Sequence, residues 1–314
     1  MATELELKLM IQKDHLNLAY DFLNRTCQEQ VDCRAEPSLQ LMNGYFDTDN
    51  NTLMQSGIAL RIRAVNGRYI QTLKTRGSNR IGMHARGEWE WDIKEDVLEL
   101  ERLTNDMLPE NLHDRAWTKN LLQVFRTDFE RQIWMIQTAD TLMEVVCDQG
   151  EVTSPYGQDE ISELELELKQ GDEIGLYDFA SRLAMAVPVQ VSTVSKAQKG
   201  VRLKNNKMEL PERLNIDASP VEQGAFWYET WLVYWEAMCF YDDAAYLTPI
   251  YDAMGQLANF ISPALALDLV SLEGKMKQMM GALDSDSPIP LTALLETGQS
   301  MLAIARWLNK QNEF

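Results

Sequence analysis

The chain has 314 residues, 45% of them hydrophobic and 25% charged, and its 48 Asp and Glu outnumber 29 Lys and Arg for a formal charge of −19. That length holds one large or two ordinary domains, since domains commonly run roughly 100–200 residues. Acid excess over the whole chain excludes a broad nucleic-acid or anionic-membrane surface, because attraction to phosphates needs a basic patch; a bound polyanion would need a locally basic, metal-assisted site.

The first ten residues, MATELELKLM, lack the basic and then continuously apolar profile of a secretory signal. Residues 4–9 alternate polar and apolar, the signature of a half-buried strand. A helical pattern covers 14–24. Strand alternation returns at 58–63 and more weakly at 69–74, and Asn66-Gly67 between them favours an antiparallel hairpin. Residues 86–92 alternate again, 112–124 look helical, and 129–136, 141–148 and 163–169 read as strands. A helix over 172–186 is ended by Pro188. His84 falls in a glycine-containing loop, where the ordinary reading is a surface residue.

After the Pro-containing stretch 210–220 the texture changes. Residues 221–314 form long apolar-periodic segments broken by Pro249, Pro263 and the loop 284–290, an all-helical unit of about four helices. Trp227, Trp231 and Trp235 are four apart and read as a packing stripe, with Met276, Met279 and Met280 as core filler. No run approaches the roughly 18 apolar residues of a membrane helix. Cys27, Cys33, Cys147 and Cys239 show no CxxC spacing, so a reduced, cytoplasmic protein is expected rather than a zinc or disulfide framework. Nothing in the sequence sets an oligomeric state.

The strand alternation carries an unusual polar face. Glu4, Glu6 and Lys8 share one side of a strand; so do Arg61 and Arg63, then Arg86, Glu88, Glu90 and Asp92, then Glu144 and Asp148, then Glu163, Glu165, Glu167 and Lys169. Like charges side by side on a strand repel unless something neutralises them. Clustered carboxylates suit Mg²⁺ or Mn²⁺, which select oxygen ligands, and neighbouring arginines suit phosphate oxygens. A sheet curled with this face inward would enclose an ionic lumen able to hold a polyphosphate bridged to carboxylates by metal ions.

These residues resemble a known family. Glu4-x-Glu6-x-Lys8 is similar to the ExExK signature of CYTH domains, the triphosphate tunnel metalloenzymes. It is followed in order by Tyr45-Phe-Asp47-Thr, Leu60-Arg-Ile-Arg63, Gln71-Thr-Leu-Lys74, Arg86-Gly-Glu88, the 125–131 run, residues 144–148, Glu163-Leu-Glu-Leu-Glu167 and Ser195-Lys196-Ala-Gln-Lys-Gly200. An ordered series is far more specific than any one of its motifs. The resemblance covers roughly residues 1–203 and is greatest to the bacterial inorganic triphosphatases.

The resemblance implies an α+β fold: a closed antiparallel eight-stranded β-tunnel with flanking helices over 1–205, then an all-α domain over 215–314. It implies metal binding by Glu4, Glu6, Glu163, Glu165 and Glu167, and phosphate binding by Lys8, Arg61, Arg63, Lys74, Arg86, Arg131 and Lys196. Lys8, Glu163, Glu165 and Glu167 take the catalytic roles, and Mg²⁺ or Mn²⁺ is the cofactor. The expected activity is metal-dependent hydrolysis of tripolyphosphate, a small-molecule substrate, with no nucleic-acid or membrane partner. The alternatives are a class IV type adenylate cyclase, a thiamine or nucleoside triphosphatase, and a non-catalytic polyphosphate-binding protein. The helical half departs from the histidine-rich, basic CHAD pattern of related proteins. It has no histidine, and residues 214–314 hold 13 acidic against 4 basic residues, so it reads as a degenerate or different helical module.

Overall fold

Period-two segments become strands and 3.6-period segments become helices in a computed structural model that describes residues 2–29, 32–75, 78–205, 210–211, 217–283 and 285–311. The first part runs β1 (Ala2–Met10), α1 (Leu16–Glu29), β2 (Cys33–Asp47), the short α2 (Thr52–Gln55), β3 (Ile58–Val65), β4 (Arg68–Thr75), β5 (Ser78–Arg80) and β6 (Met83–Ile93). Next come β7 (Leu122–Gln137), β8 (Thr141–Ser154), β9 (Gly157–Gly171), α3 (Ile174–Ala184), β10 (Gln190–Val191) and α4 (Lys196–Asn205). Four helices follow: α5 (Pro220–Tyr241), α6 (Leu247–Leu257), α7 (Pro263–Ala282) and α8 (Leu295–Gln311). Among the described residues, no helix is long and apolar enough to cross a membrane.

The strands form one curled antiparallel sheet in the order β10-β1-β9-β8-β7-β2-β3-β4-β6-β5. β1 divides its length between two partners, pairing with β9 from Glu6 to Met10 and with β6 from Ala2 to Leu7. Asn66 and Gly67 both have positive φ, the backbone that a two-residue hairpin between β3 and β4 requires.

Alternation then sorts the side chains. Leu7, Leu9, Val145, Cys147, Leu164 and Leu166 point outward into a core shared with α1, α3 and the four C-terminal helices, where Trp231, Trp235 and Met276 are fully buried. The tryptophan spacing is thus a packing stripe, as its period implies. A second core sets Leu60 and Leu73 against Leu103, Leu108, Leu112 and Trp117. Burial of the apolar face by helices leaves the charged face to the concave side of the curl.

Several local expectations are corrected. Residues 112–124 are not one helix: short 3-10 turns cover Glu110–Leu112 and Ala116–Asn120, and Leu122 already starts β7. The apolar residues that mimic a helical period there cap the second core instead. Pro249 does not break a helix; it lies in the first turn of α6, where a missing N–H costs no intrahelical bond. The 15-residue β2 escapes the alternation because Pro37 and a register shift between Glu36 and Leu39 interrupt it. Cys27 and Cys33 are joined as a disulfide with Cα atoms 4.6 Å apart, against the expectation of four unpaired thiols, because α1 returns its last turn beside the start of β2.

Candidate active site

The curled sheet and α4 enclose a cavity of about 280 Å³. Ten of the predicted residues line it: Glu4, Glu6, Lys8, Arg61, Arg63, Lys74, Arg131, Glu165, Glu167 and Lys196. Glu163 does not reach the lining but lies directly behind it, bonded to two lysines that do. The side chain of Arg86 lies outside the described residues.

Register explains the convergence. Across β1, β9 and β8, Glu6 stands opposite Glu167, which stands opposite Glu144; one step along, Lys8 stands opposite Glu165. Further in, Arg131 on β7 faces Asp148 on β8, which faces Glu163 on β9. On the other wall, Tyr45 faces Arg61, and Asn43 faces Arg63.

At the deep end, three acids meet three cations. Carboxylate oxygens of Asp148, Glu163 and Glu165 lie within 4.8 Å of one another, close enough to share a metal ion. Asp148 is completely buried and accepts two bonds from Arg131, at 2.7 and 2.6 Å. Lys196 reaches Asp148 at 2.6 Å, Glu165 at 3.0 Å, and Glu163. Lys8 donates to Glu163 at 3.0 Å and to Glu165. Burial alone would raise the carboxyls of Asp148 and Glu165, but Arg131 and Lys196, joined at Glu165 by Lys8, hold both below the usual carboxylate range. Burial would likewise lower Lys8, yet Glu163 and Glu165 keep it above the usual lysine range. These acids are already neutralised.

Toward the other end the balance reverses. Lys74 pairs with Glu4 at 3.0 Å and Glu88 at 2.9 Å, and Lys169 pairs with Glu167 at 2.7 Å and Glu144 at 3.6 Å. Among the described residues, Lys74, Lys169 and Arg61 serve these four carboxylates, with Glu6 alongside. Burial and the neighbouring Glu88 push Glu4 up, and burial with Glu4 and Glu144 nearby pushes Glu167 up. Unspent negative charge on oxygen ligands is the setting a hard divalent cation fits.

The two guanidiniums of the arginine wall differ in their partners. Arg61 is 3.7 Å from Glu88 and 3.5 Å from Glu90. Arg63 has no carboxylate partner among the described residues and donates only to the Asn43 amide oxygen, at 2.8 Å. Desolvation, with Arg61 and Arg131 close by, pushes the Arg63 guanidinium down. Tyr45, which opens the Tyr45-Phe-Asp47-Thr motif without a role assigned to it, lines the cavity and feels the same field: burial would raise its phenol, but Arg61, Arg63, Lys74 and Lys196 bring it below its ordinary value. An aromatic at position 45 gives no charge signal, so only its register opposite Arg61 reveals it. Asp148 and Glu144 share the inward face of β8, and their alternation within 141–148 is the signal that finds them.

His84 belongs to β6 rather than to a loop, and it is 1% exposed, with Nε2 3.3 Å from the Ser192 carbonyl oxygen. Burial pushes the Cys147 thiol up to about 12, consistent with a packing role.

A sequence model described as CYTH domain matches residues 2–201. An inorganic triphosphatase of Haemophilus influenzae is 33% identical over 180 residues, 57% of this chain and 49% of that protein, so the chain spans about half the length of this curated relative. Among solved structures, a Hippeastrum protein described as having a dominant triphosphatase activity is 19% identical with a TM-score of 0.47, covering 66% of this chain and 97% of that one. A Bacillus halodurans protein described as a candidate adenylate cyclase is 20% identical with a TM-score of 0.43, covering 63% and 98%.

Proposed function

The chain belongs to the CYTH domain family, and on that premise we propose that it hydrolyses inorganic tripolyphosphate to pyrophosphate and phosphate with a divalent cation, Mg²⁺ or Mn²⁺. The curled sheet would act as a closed tunnel, a reading supported by the pairing of β1 with both β9 and β6. The observation that carries the proposal is Arg63: a guanidinium flanked by two others and held by one neutral amide calls for an anion of several charges. The Haemophilus influenzae relative, an inorganic triphosphatase, supports the same substrate.

Arg61, Arg63 and Arg131 would grip successive phosphoryl oxygens, and Lys8 and Lys196 would reach the chain from the deep end. Glu163, Glu165 and Asp148 fix those lysines and Arg131 in place, so the donors need no reorganisation when charge builds up in the transition state. Glu4, Glu6 and Glu167, with Glu144, would hold the cation, because among the described residues they have only Lys74 and Lys169 as ion-pair partners. A cation there would neutralise phosphate oxygens and acidify a water within its reach. Water attacks the terminal phosphorus in line and gives up its proton to solvent, the bond between that phosphorus and the bridging oxygen breaks, and the Lys8 ammonium hydrogen-bonds the oxygen that departs with pyrophosphate. Glu163 and Glu165 thereby act through Lys8 rather than on the water.

Phosphate release from tripolyphosphate, ATP and thiamine triphosphate, each with Mg²⁺, Mn²⁺ or a chelator, tests the assignment. Tripolyphosphate should turn over fastest and only with metal. Cyclic AMP from ATP would point to the cyclase reaction instead, and tight binding without release would point to a binding protein.

A further inference from the structure

Lys196 enters the cavity from the start of α4, and both ends of the segment that carries it are tied to one residue of the C-terminal helices. That residue is Glu236 on α5, which is 5% exposed and lies outside the cavity lining. Ahead of Lys196, the Ser192 hydroxyl donates to Glu236 Oε1. Beyond Lys196, Arg202 Nη1 is 3.8 Å from Glu236 Oε2, and its guanidinium lies 4.0 Å from the ring centre of Phe240, also on α5. Arg202 is held from its other side by Asp159 on β9, at 2.6 Å.

Ser192 leads onward into the site. Its backbone N–H donates to the Lys8 carbonyl at 2.9 Å, and its own carbonyl is 3.3 Å from His84 Nε2 on the strand residue opposite Glu6. Glu236 therefore touches the two ends of the 192–202 segment and, through Ser192, the backbone of the other lysine at the deep end. A buried carboxylate in the apolar face of a helix is costly unless its partners need it there.

We infer that Glu236 is a positioning residue that fixes Lys196 and Lys8 for phosphate binding, so that the helical part of the chain completes the site without entering it. The reading of tripolyphosphate as substrate underlies the kinetic half of this inference but not its conformational half.

Two measurements on the full chain test it. In the first, hydrogen–deuterium exchange is compared between the native protein and Glu236→Ala and Glu236→Gln. Exchange over residues 192–204 should be faster in Glu236→Ala with the β7, β8 and β9 amides unchanged, and Glu236→Gln, which still accepts from Ser192, should restore much of the protection. Unchanged exchange in 192–204, or loss spread evenly over the molecule, overturns the inference whatever the substrate is. In the second, steady-state kinetics on tripolyphosphate are measured for Glu236→Ala, Lys196→Ala and the pair. Displacing a positioned group by about an ångström costs up to ~100-fold, so Glu236→Ala should raise KM roughly tenfold, and its effect should shrink once Lys196 is gone to the part carried through Lys8. A Glu236→Ala effect equally large with and without Lys196 overturns the coupling. If the native protein neither binds nor hydrolyses tripolyphosphate, the proposed function fails while the exchange result still decides the role of Glu236.

Discussion

Arg63 and Asp148 mark the two kinds of charge in the cavity, and substituting them should have opposite effects on stability. Asp148 is buried and bonded to Arg131 and Lys196. Removing one partner of a buried ionic cluster leaves the others uncompensated, so Asp148→Ala should cost about 3–5 kcal/mol, read as a lowered denaturation midpoint. Arg63 lacks an acid partner among the described residues, so Arg63→Met should keep or raise the melting temperature while abolishing tripolyphosphate binding. A large destabilisation by Arg63→Met would mean that its charge is satisfied within the fold. The raised carboxyls of Glu4 and Glu167 make a third case. Folded protein holds more protons there than unfolded chain, so their contribution to stability falls as pH rises above the ordinary carboxylate range. A cation displaces those protons, so the rise in melting temperature on adding Mg²⁺ should be larger at about pH 7.5 than at about pH 5. Equal shifts at both would remove these glutamates from the metal site. The sequence made most of these residues legible, because charge on one face of an alternating strand is visible without coordinates. It could not show which acids are already paired: Glu163 and Glu167 lie on one strand face, yet two lysines from other elements neutralise the first while, among the described residues, only Lys169 pairs with the second.

At the level of elements, α4 brings Lys196, Ala197 and Gln198 into the cavity lining. The Ser195–Gly200 motif is legible as a string but not as a helix, since a single turn of mixed polarity has no apolar period to read. Its geometry explains its composition. Ser195 and Gln198 exchange side-chain and backbone bonds at the start of α4, and Gly200 lies against the ring of Phe125 so closely that an added Cβ would sit 2.3 Å from Cδ2. Gly200→Ala should therefore push α4 off the sheet, lower stability, and weaken tripolyphosphate binding along with it. Pairing it with Phe125→Ala should recover part of both; failure of any rescue would place the effect elsewhere. The strands were readable where alternation is clean, as in β1, β3 and β9. They were hidden where a bulge or proline breaks it, as in β2, and residues 112–124 misled because apolar residues covering a core in short turns can imitate a helical stripe.

For the molecule as a whole, a net charge of −19 opposes the approach of a phosphate ligand. The cavity resolves this by separating its charges: a neutralised deep cluster, an arginine wall in which Arg63 has no acid partner among the described residues, and a carboxylate wall short of cations. The helical half is packed onto the sheet as part of one core. Its residues Tyr228, Trp231, Trp235 and Leu308 share one continuous core with Leu7, Leu164 and Val191 of the sheet. Ending the chain after residue 205 would expose that face, and the product should lose cooperative unfolding; a stable, active fragment would show that the first part folds alone. The central claim is that a metal-dependent triphosphate site occupies the curl of the sheet. Phosphate release from tripolyphosphate by the full chain, in Mg²⁺ or in chelator, for the native protein and for Glu4→Gln and Glu6→Gln, tests it most directly. The account predicts release that requires metal and is all but lost in both folded variants. Release that persists in chelator, or that survives either substitution unchanged, would contradict it.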